Sequence, residues 1–130
     1  MVIDTSAVIA ILHDEPERRQ LLDAVEGAAA RLMSVATFVE TSMVVEGRRG
    51  AQGLRLYDRL AQRLAIELVP VDVEQGQVAR DAFSRYGRGR HPASLNLGDC
   101  FTYALASVAN EPVLCKGDDF AQTDIAVVVC

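Results

Sequence analysis

The feature that most constrains the fold is an alternation of short apolar segments with longer stretches of helical periodicity. The longer stretches carry apolar side chains three and four positions apart, as at Ala79, Ala82, Phe83 and Tyr86. The short segments are residues 2–3, 32–35, 67–71, 112–115 and 126–129. Such alternation is typical of βαβ units and of a parallel sheet covered by helices on both faces. We therefore predict an α/β fold with three α/β/α layers around a mostly parallel, five-stranded sheet. The strand order that we expect for it is 3-2-1-4-5, in which strands one and four are neighbours.

The size and composition predict one globular domain over residues 1–130, because 50% of the residues are hydrophobic, 24% are charged, and no linker or repeat interrupts the pattern. No apolar run approaches the roughly 18 residues that cross a bilayer. The chain also starts without the basic segment of a signal peptide. Three widely spaced cysteines, Cys100, Cys115 and Cys130, are expected to be reduced thiols. Together these features predict a cytoplasmic protein without a membrane partner.

A carboxylate lies between two apolar segments at the start of the chain, in MVIDTSAVIAIL. Because an unpaired buried charge is costly, Asp4 needs a partner or a function. Asp4 follows the first strand, and Asp118 follows the fourth. In an open parallel sheet, ligands bind beyond the carboxyl ends of the strands, where the strand order reverses. With strands one and four as neighbours, we expect these two acids to face each other.

Two further acids are predicted at the same edge of the sheet. Glu40 lies in the first turn of the helix after strand two, and Asp99 lies in the first turn of the helix before strand four. Four carboxylates in one place would repel one another and raise one another's pKa values. Mg²⁺ or Mn²⁺ would remove this conflict, because hard cations bind carboxylate oxygens. A metal-activated water attacking a phosphodiester is the chemistry that suits such a site.

Each acid alone also has a simpler interpretation. Asp4 and Asp99 are suited to cap helices or to occupy a first turn, which contributes about 0.5–2 kcal/mol. Glu40 alone resembles a solvated helix acid, and Asp118 alone resembles a turn residue. The metal-site hypothesis therefore depends on the convergence of the four acids.

A loop with two arginines, GRGRHPASLNLG, directly precedes Asp99. Arg88 and Arg90 are candidate RNA-binding residues, because a guanidinium binds two phosphate oxygens at once. A solvated loop that balances local acids explains them equally well. The net charge of −5 does not point to a nucleic-acid partner, although an acidic site is compatible with a metal-dependent nuclease.

Four motifs in this order, DTSAVIAIL, SVATFVE, LNLGDCFTYALA and LCKGDDF, resemble the PIN-domain ribonucleases of the VapC toxin family. The resemblance implies a three-layer α/β/α fold, Mg²⁺-dependent cleavage of RNA, inhibition by a VapB-type antitoxin, and a homodimer. It implies that the metal ligands are Asp4, Glu40 and Asp99. Asp118 is chosen as the fourth ligand over Asp119, which we expect to cap the following turn. Family members often have one more residue between this acid and the final Asp-Phe than GDDF allows.

Two other functions stay open. A receiver-like phosphoacceptor domain would use a Lys after a late strand, which Lys116 supplies, and an Asp ending strand three, for which Asp72 is the only candidate. It also needs an acidic pair after the first strand, where Asp4 is followed by Thr5 and Ser6. A non-catalytic α/β module that docks a partner peptide is the second alternative. Metal-dependent RNA cleavage that is lost on single acid substitutions would separate these functions.

Overall fold

The computed structural model describes residues 1–128, and these contain a four-stranded parallel sheet of order β3-β2-β1-β4. The strands are β1 (Val2–Ile3), β2 (Leu32–Ser34), β3 (Glu67–Val69) and β4 (Val113–Leu114). Val2 pairs with Leu32 of β2 and with Val113 of β4. The predicted α/β class is confirmed, and so is the predicted order of the first four strands.

Helices cover both faces of the sheet. They are α1 (Thr5–Leu12), α2 (Arg18–Glu26), α3 (Val35–Arg63), α4 (Val73–Tyr86) and α5 (Leu97–Ala109), and a 3₁₀ turn follows at Phe120–Gln122. Neighbouring strand residues face opposite ways. Val2 therefore packs into the core with α4 and α5, whereas Ile3 packs into the core with α1, α2 and α3. This arrangement is the predicted three-layer α/β/α fold.

The predicted fifth strand, residues 126–129, is not a strand in the described residues. Val127 makes an isolated parallel bridge to Val113 of β4. The Val113 N–H donates to the Ala126 carbonyl at 2.9 Å, and the Val128 N–H donates to the Val113 carbonyl at 2.9 Å. The segment therefore lies beside β4 as expected, but its pairing covers one residue only, so the prediction of five strands is wrong. Val129 lies outside the described residues.

Helix α3 consists of two helical segments that meet at Gly50. Its 29 residues are interrupted at Gly50, whose φ of 60° and ψ of −153° are not helical. Glycine adopts this left-handed φ without a steric penalty. Glu40 therefore lies on the segment of α3 that precedes Gly50, together with Arg48 and Arg49.

The structure tests two predictions from the composition, the lack of a membrane-spanning segment and the reduced cysteines. None of the helices within residues 1–128 is long and apolar enough to cross a membrane. Cys100 is a free, buried thiol as predicted. Cys115 is disulfide-bonded, so the prediction of a reduced thiol is wrong there; odd counts and wide spacing do not reveal which thiols meet in the fold. Cys130 lies outside the described residues.

Candidate active site at the carboxyl edge of the sheet

A cavity of about 380 Å³ lies at the carboxyl ends of β1 and β4. Three of the four predicted acids, Asp4, Glu40 and Asp99, line it. Three other cavities in the described residues are larger, but each is lined by at most one carboxylate. The acids are brought together from three distant segments of the chain, as the sequence predicted.

Asp4 is buried, with 4% of its surface exposed, and its carboxylate accepts three hydrogen bonds. It caps the N-terminus of α1 by accepting from the Ser6 N–H at 3.0 Å, and the same oxygen accepts from the Ser6 hydroxyl at 2.8 Å. Its other oxygen accepts from the Thr102 hydroxyl at 2.8 Å. Asp4 is therefore both a helix cap and a wall of the cavity, and its charge is balanced by donors rather than left unpaired.

Glu40 is held at the cavity by close contacts on two sides. The Thr5 hydroxyl donates to Glu40 Oε1 at 2.6 Å. On the other side lies Gly98, where a Cβ atom would overlap the carboxylate of Glu40. Glycine at position 98 thus allows the carboxylate of Glu40 to lie directly against the start of α5.

Asp99 lies in the first turn of α5 and is part of a capping box. Its carboxylate accepts from the Asn96 N–H at 3.0 Å, and the Asn96 side chain accepts from the Asp99 N–H at 2.8 Å. Burial raises the pKa of Asp99 to about 7, with further increases from the charges of Asp4, Glu40 and Asp119. The acids are therefore close enough to repel one another, as the convergence hypothesis requires.

The fourth predicted acid, Asp118, does not line the cavity, and neither does its neighbour Asp119. Asp118 and Asp119 are both exposed. Asp118 contributes its backbone carbonyl, which accepts from Gln122 Nε2 at 3.5 Å. Asp119 occupies the N-cap position of the 3₁₀ turn, but its side chain makes no capping hydrogen bond, so the expected capping role is wrong. The charge of Asp119 makes a small contribution to the raised pKa of Asp99, so Asp119 is a candidate for the fourth ligand beside Asp118.

The donor set of the cavity fits a hard divalent cation, since all the candidate ligands are carboxylate oxygens. Burial, and to a smaller extent the neighbouring acids, disfavours the charged form of Asp99, and a bound cation would offset this. In the conformation described, no group of three or more His, Cys, Asp or Glu side chains within residues 1–128 is arranged to hold a metal ion. The fit therefore rests on donor chemistry and charge, while Asp4 and Glu40 are turned toward hydroxyl donors.

The two predicted RNA-binding arginines do not line the cavity. The guanidinium of Arg90 lies over the Phe83 ring, 5.4 Å from its centroid, and the backbone N–H of Arg88 donates to the Leu95 carbonyl at 3.0 Å. The basic residues that do line it are Arg48 and Lys116. Sequence reasoning missed Arg48, although its spacing of eight residues from Glu40 places both on one face of α3.

The features required for a phosphoacceptor are not assembled at this site. Lys116 Nζ pairs with Glu15 at 2.5 Å and with Glu17 at 3.4 Å rather than with Asp4. Asp72 caps α4, accepting from the Gln75 N–H at 2.9 Å, and does not line the cavity. The arrangement therefore favours a cluster of acids over a single phosphorylated Asp.

Without metal, Asp99→Asn should melt about 3–6 °C above the wild type in EDTA near pH 7. It removes a carboxylate whose charged form is disfavoured by burial and, to a smaller extent, by the neighbouring acids, an effect on the order of 1–2 kcal/mol. Asp4→Asn should melt lower than the wild type, because the amide group that replaces one carboxylate oxygen cannot accept the hydrogen bonds made to that oxygen.

The raised pKa of Asp99 also makes stability depend on pH. Between about pH 4 and pH 7, Asp99 is protonated in the folded wild type and ionised in the unfolded chain. Its contribution to stability thus falls as pH rises through this window.

The gain from Asp99→Asn should accordingly shrink as the pH is lowered from about 7 to about 4, which melting curves in EDTA would measure. If Asp99→Asn melts lower than the wild type across that range, Asp99 is a helix cap and carries no repulsion.

Comparison with known proteins identifies the family. Residues 1–126 match the PIN domain family. The chain belongs to the PIN domain family. Ribonuclease VapC30 of Mycobacterium tuberculosis is 50% identical over 128 residues, covering 98% of each chain. Ribonuclease VapC of Mycolicibacterium smegmatis is 51% identical over 128 residues, covering 98% of this PIN domain and 99% of the relative.

Solved structures support the same fold for this PIN domain at much lower sequence identity. Mycobacterium tuberculosis VapC20, described as a sarcin–ricin loop cleaving toxin, aligns with a TM-score of 0.78 at 13% identity, over 98% of this chain and 97% of that one. VapBC-1 from nontypeable Haemophilus influenzae aligns with a TM-score of 0.74 at 16% identity, over 98% and 96% of the two chains. At this identity the likeness concerns the fold.

Proposed function

We propose that this PIN domain is the toxin of a VapBC-type toxin–antitoxin system and acts as a Mg²⁺-dependent endoribonuclease that hydrolyses RNA phosphodiester bonds. The observation that carries the proposal is the acid cluster: Asp4, Glu40 and Asp99 share one cavity, and the pKa of Asp99 is raised to about 7. Relatives at about 50% identity that are named ribonuclease VapC support RNA as the substrate. A cytoplasmic location, where RNA is available, is part of the same proposal.

Asp4, Glu40 and Asp99 would hold the metal ion, with Asp118 or Asp119 as the fourth ligand, and Mn²⁺ could substitute for Mg²⁺. When bound, the ion would lower the pKa of a coordinated water and offset charge that develops on the phosphate. The chain's own residues orient the ligands: Ser6 and Thr102 hold Asp4, and Thr5 holds Glu40. Asp99 is fixed by the capping box at the start of α5.

The proposal is tested by incubating the purified protein with total RNA in Mg²⁺, in Mn²⁺ and in EDTA, and by mapping the cut ends. We expect internal cuts at defined positions with either metal and none in EDTA. Equal cutting in EDTA, or no cutting under any condition, would overturn the proposed activity.

The two neighbouring acids of GDDF provide a matched pair for locating the fourth ligand. Asp119→Asn should reduce cleavage about tenfold, the lower end of the loss typical of weakened metal sites, whereas Asp118→Asn should leave the rate near that of the wild type. The reason is that the charge of Asp119 contributes to the raised pKa of Asp99. Initial cleavage rates at subsaturating Mg²⁺ measure the difference. The reverse ranking would restore Asp118 to the site.

We propose two protein partners, a VapB-type antitoxin and a second copy of the chain. Structural neighbours solved as toxin–antitoxin assemblies support the antitoxin. An exposed apolar surface beside the acid cavity supports a protein contact: Val39, Met43 and Leu97 are 48%, 69% and 76% exposed. Light scattering of the protein alone would show whether it is a homodimer.

We also propose that Arg88 and Arg90 contact phosphates of the RNA. The exposed guanidinium groups are suited to phosphate, and they lie outside the acid cavity on the loop that precedes α5. They would therefore contact the RNA away from the bond that is cleaved.

A further inference from the structure

Arg48 differs from the other basic residue at the acid cavity in its partner. Lys116 is paired with two carboxylates, those of Glu15 and Glu17. Within residues 1–128, Arg48 makes no ion pair, and its Nη1 lies 3.0 Å from His13 Nδ1. The positive charge of Arg48 is thus not neutralised by a neighbouring acid, although Arg48 lines the same cavity as Asp4 and Asp99.

The contact with His13 holds the guanidinium without neutralising it. A guanidinium only donates hydrogen bonds, so His13 Nδ1 accepts, and the imidazole is neutral with its proton on Nε2. His13 is the C-cap residue of α1, the helix that Asp4 caps at its other end. One of the five N–H groups of Arg48 is occupied by this contact, which leaves donors for a ligand in the cavity.

The position of Arg48 relative to the acids fits a strand of nucleic acid. Glu40, Val44 and Arg48 are spaced four residues apart on α3, and all three line the cavity. At 1.5 Å per residue, the Cα atoms of Glu40 and Arg48 are about 12 Å apart along the helix. That distance is on the order of three nucleotides at the 3.4 Å spacing of a stacked strand.

We propose that Arg48 binds a phosphate of the RNA strand a few nucleotides from the bond that is cleaved, with His13 holding its guanidinium in place. This inference rests on the proposed ribonuclease function and identifies a substrate-binding residue for it. An acidic cavity repels a phosphate backbone, and an arginine beside it that is not paired with an acid reduces this repulsion for the part of the strand that lies away from the metal site. The guanidinium also matches the geometry of two phosphate oxygens, which an ammonium group does not.

The test compares Arg48→Gln, Arg48→Lys and Arg55→Gln in the full chain. Arg55 is an exposed arginine on the same helix that does not line the cavity, so Arg55→Gln is matched for charge and element. The probe is a fluorescent single-stranded RNA of mixed sequence, about 20 nucleotides long, and its binding is followed by anisotropy in EDTA over a series of KCl concentrations. Melting curves confirm that each variant is folded.

Arg48→Gln should weaken binding about tenfold at low salt and should lower the slope of log K against log salt by roughly 0.7, the value for one phosphate contact on a single strand. Arg48→Lys should keep the slope, because it keeps the charge, and Arg55→Gln should behave as the wild type. A slope for Arg48→Gln equal to that of Arg55→Gln would overturn the inference, as would wild-type binding without salt dependence.

Failure of this inference is distinguishable from failure of the proposed function. Mg²⁺-dependent cleavage of total RNA is measured on the same wild-type preparation. If the wild type cuts RNA and the slopes of the two Gln variants are equal, only the role of Arg48 is wrong. If the wild type cuts nothing, the ribonuclease proposal is wrong, and the inference for Arg48 is wrong with it.

Discussion

Replacing Asp99 by Asn should reduce RNA cleavage about a thousandfold, equivalent to the several kcal/mol of barrier that a metal ion contributes. The substitution removes the charge of one proposed ligand and keeps its shape. The fold should be preserved, because an Asn oxygen can still accept from the Asn96 N–H in the capping box. Initial cleavage rates in saturating Mg²⁺ measure the loss.

The control for this substitution is Asp58→Asn, which removes the same charge from an exposed position on α3. It should cleave at the wild-type rate, because Asp58 does not line the acid cavity. Cleavage by Asp99→Asn within a few-fold of the control would contradict the site assignment and return Asp99 to the role of a helix-terminal residue.

Gly98→Ala should reduce cleavage about 10- to 100-fold, the loss typical of disturbed metal-site supports, while the melting temperature changes little. The new methyl group would overlap the carboxylate group of Glu40. Because the obstructed atoms are the end of a flexible side chain, Glu40 can turn away without disturbing the core. The carboxylate would then leave the cavity and lose its bond from the Thr5 hydroxyl.

The matched control is Gly76→Ala on α4, where an added Cβ meets no atom within 4 Å. It should leave cleavage unchanged. If both alanine variants cleave like the wild type, the position of Glu40 does not matter for the reaction. A large loss of stability in Gly98→Ala alone would indicate that the close contact is structural.

The layered fold could be predicted because strands and helices in this chain differ in local pattern. The convergence of Asp4 and Asp99 in the acid cluster could be predicted as well. Asp4 follows a strand and Asp99 begins a helix, and the sequence pattern indicates both of these ends. The prediction of a fifth strand is wrong because an apolar run does not show how many of its residues pair with the neighbouring strand. In the described residues, Val127 makes a single bridge to β4.

Other features depend on packing that local sequence does not encode. Asp118 and Asp119 are chemically identical neighbours, so only the path of the loop decides which one acts on Asp99. The contact between Arg48 and His13 joins residues 35 positions apart. The sequence places Gly98 at the end of a loop and gives no sign of its contact with Glu40, because that contact depends on how α3 and α5 pack together.

The central claim is that the acid cluster is a metal centre, and Mn²⁺ binding followed by electron paramagnetic resonance tests it without requiring a known RNA substrate. We predict that the wild type binds Mn²⁺ and that Asp99→Asn binds it at least about tenfold more weakly, as expected for a lost charged ligand. Asp58→Asn should bind as the wild type does. Equal Mn²⁺ affinity in the wild type and Asp99→Asn, or no binding by either, would contradict the claim.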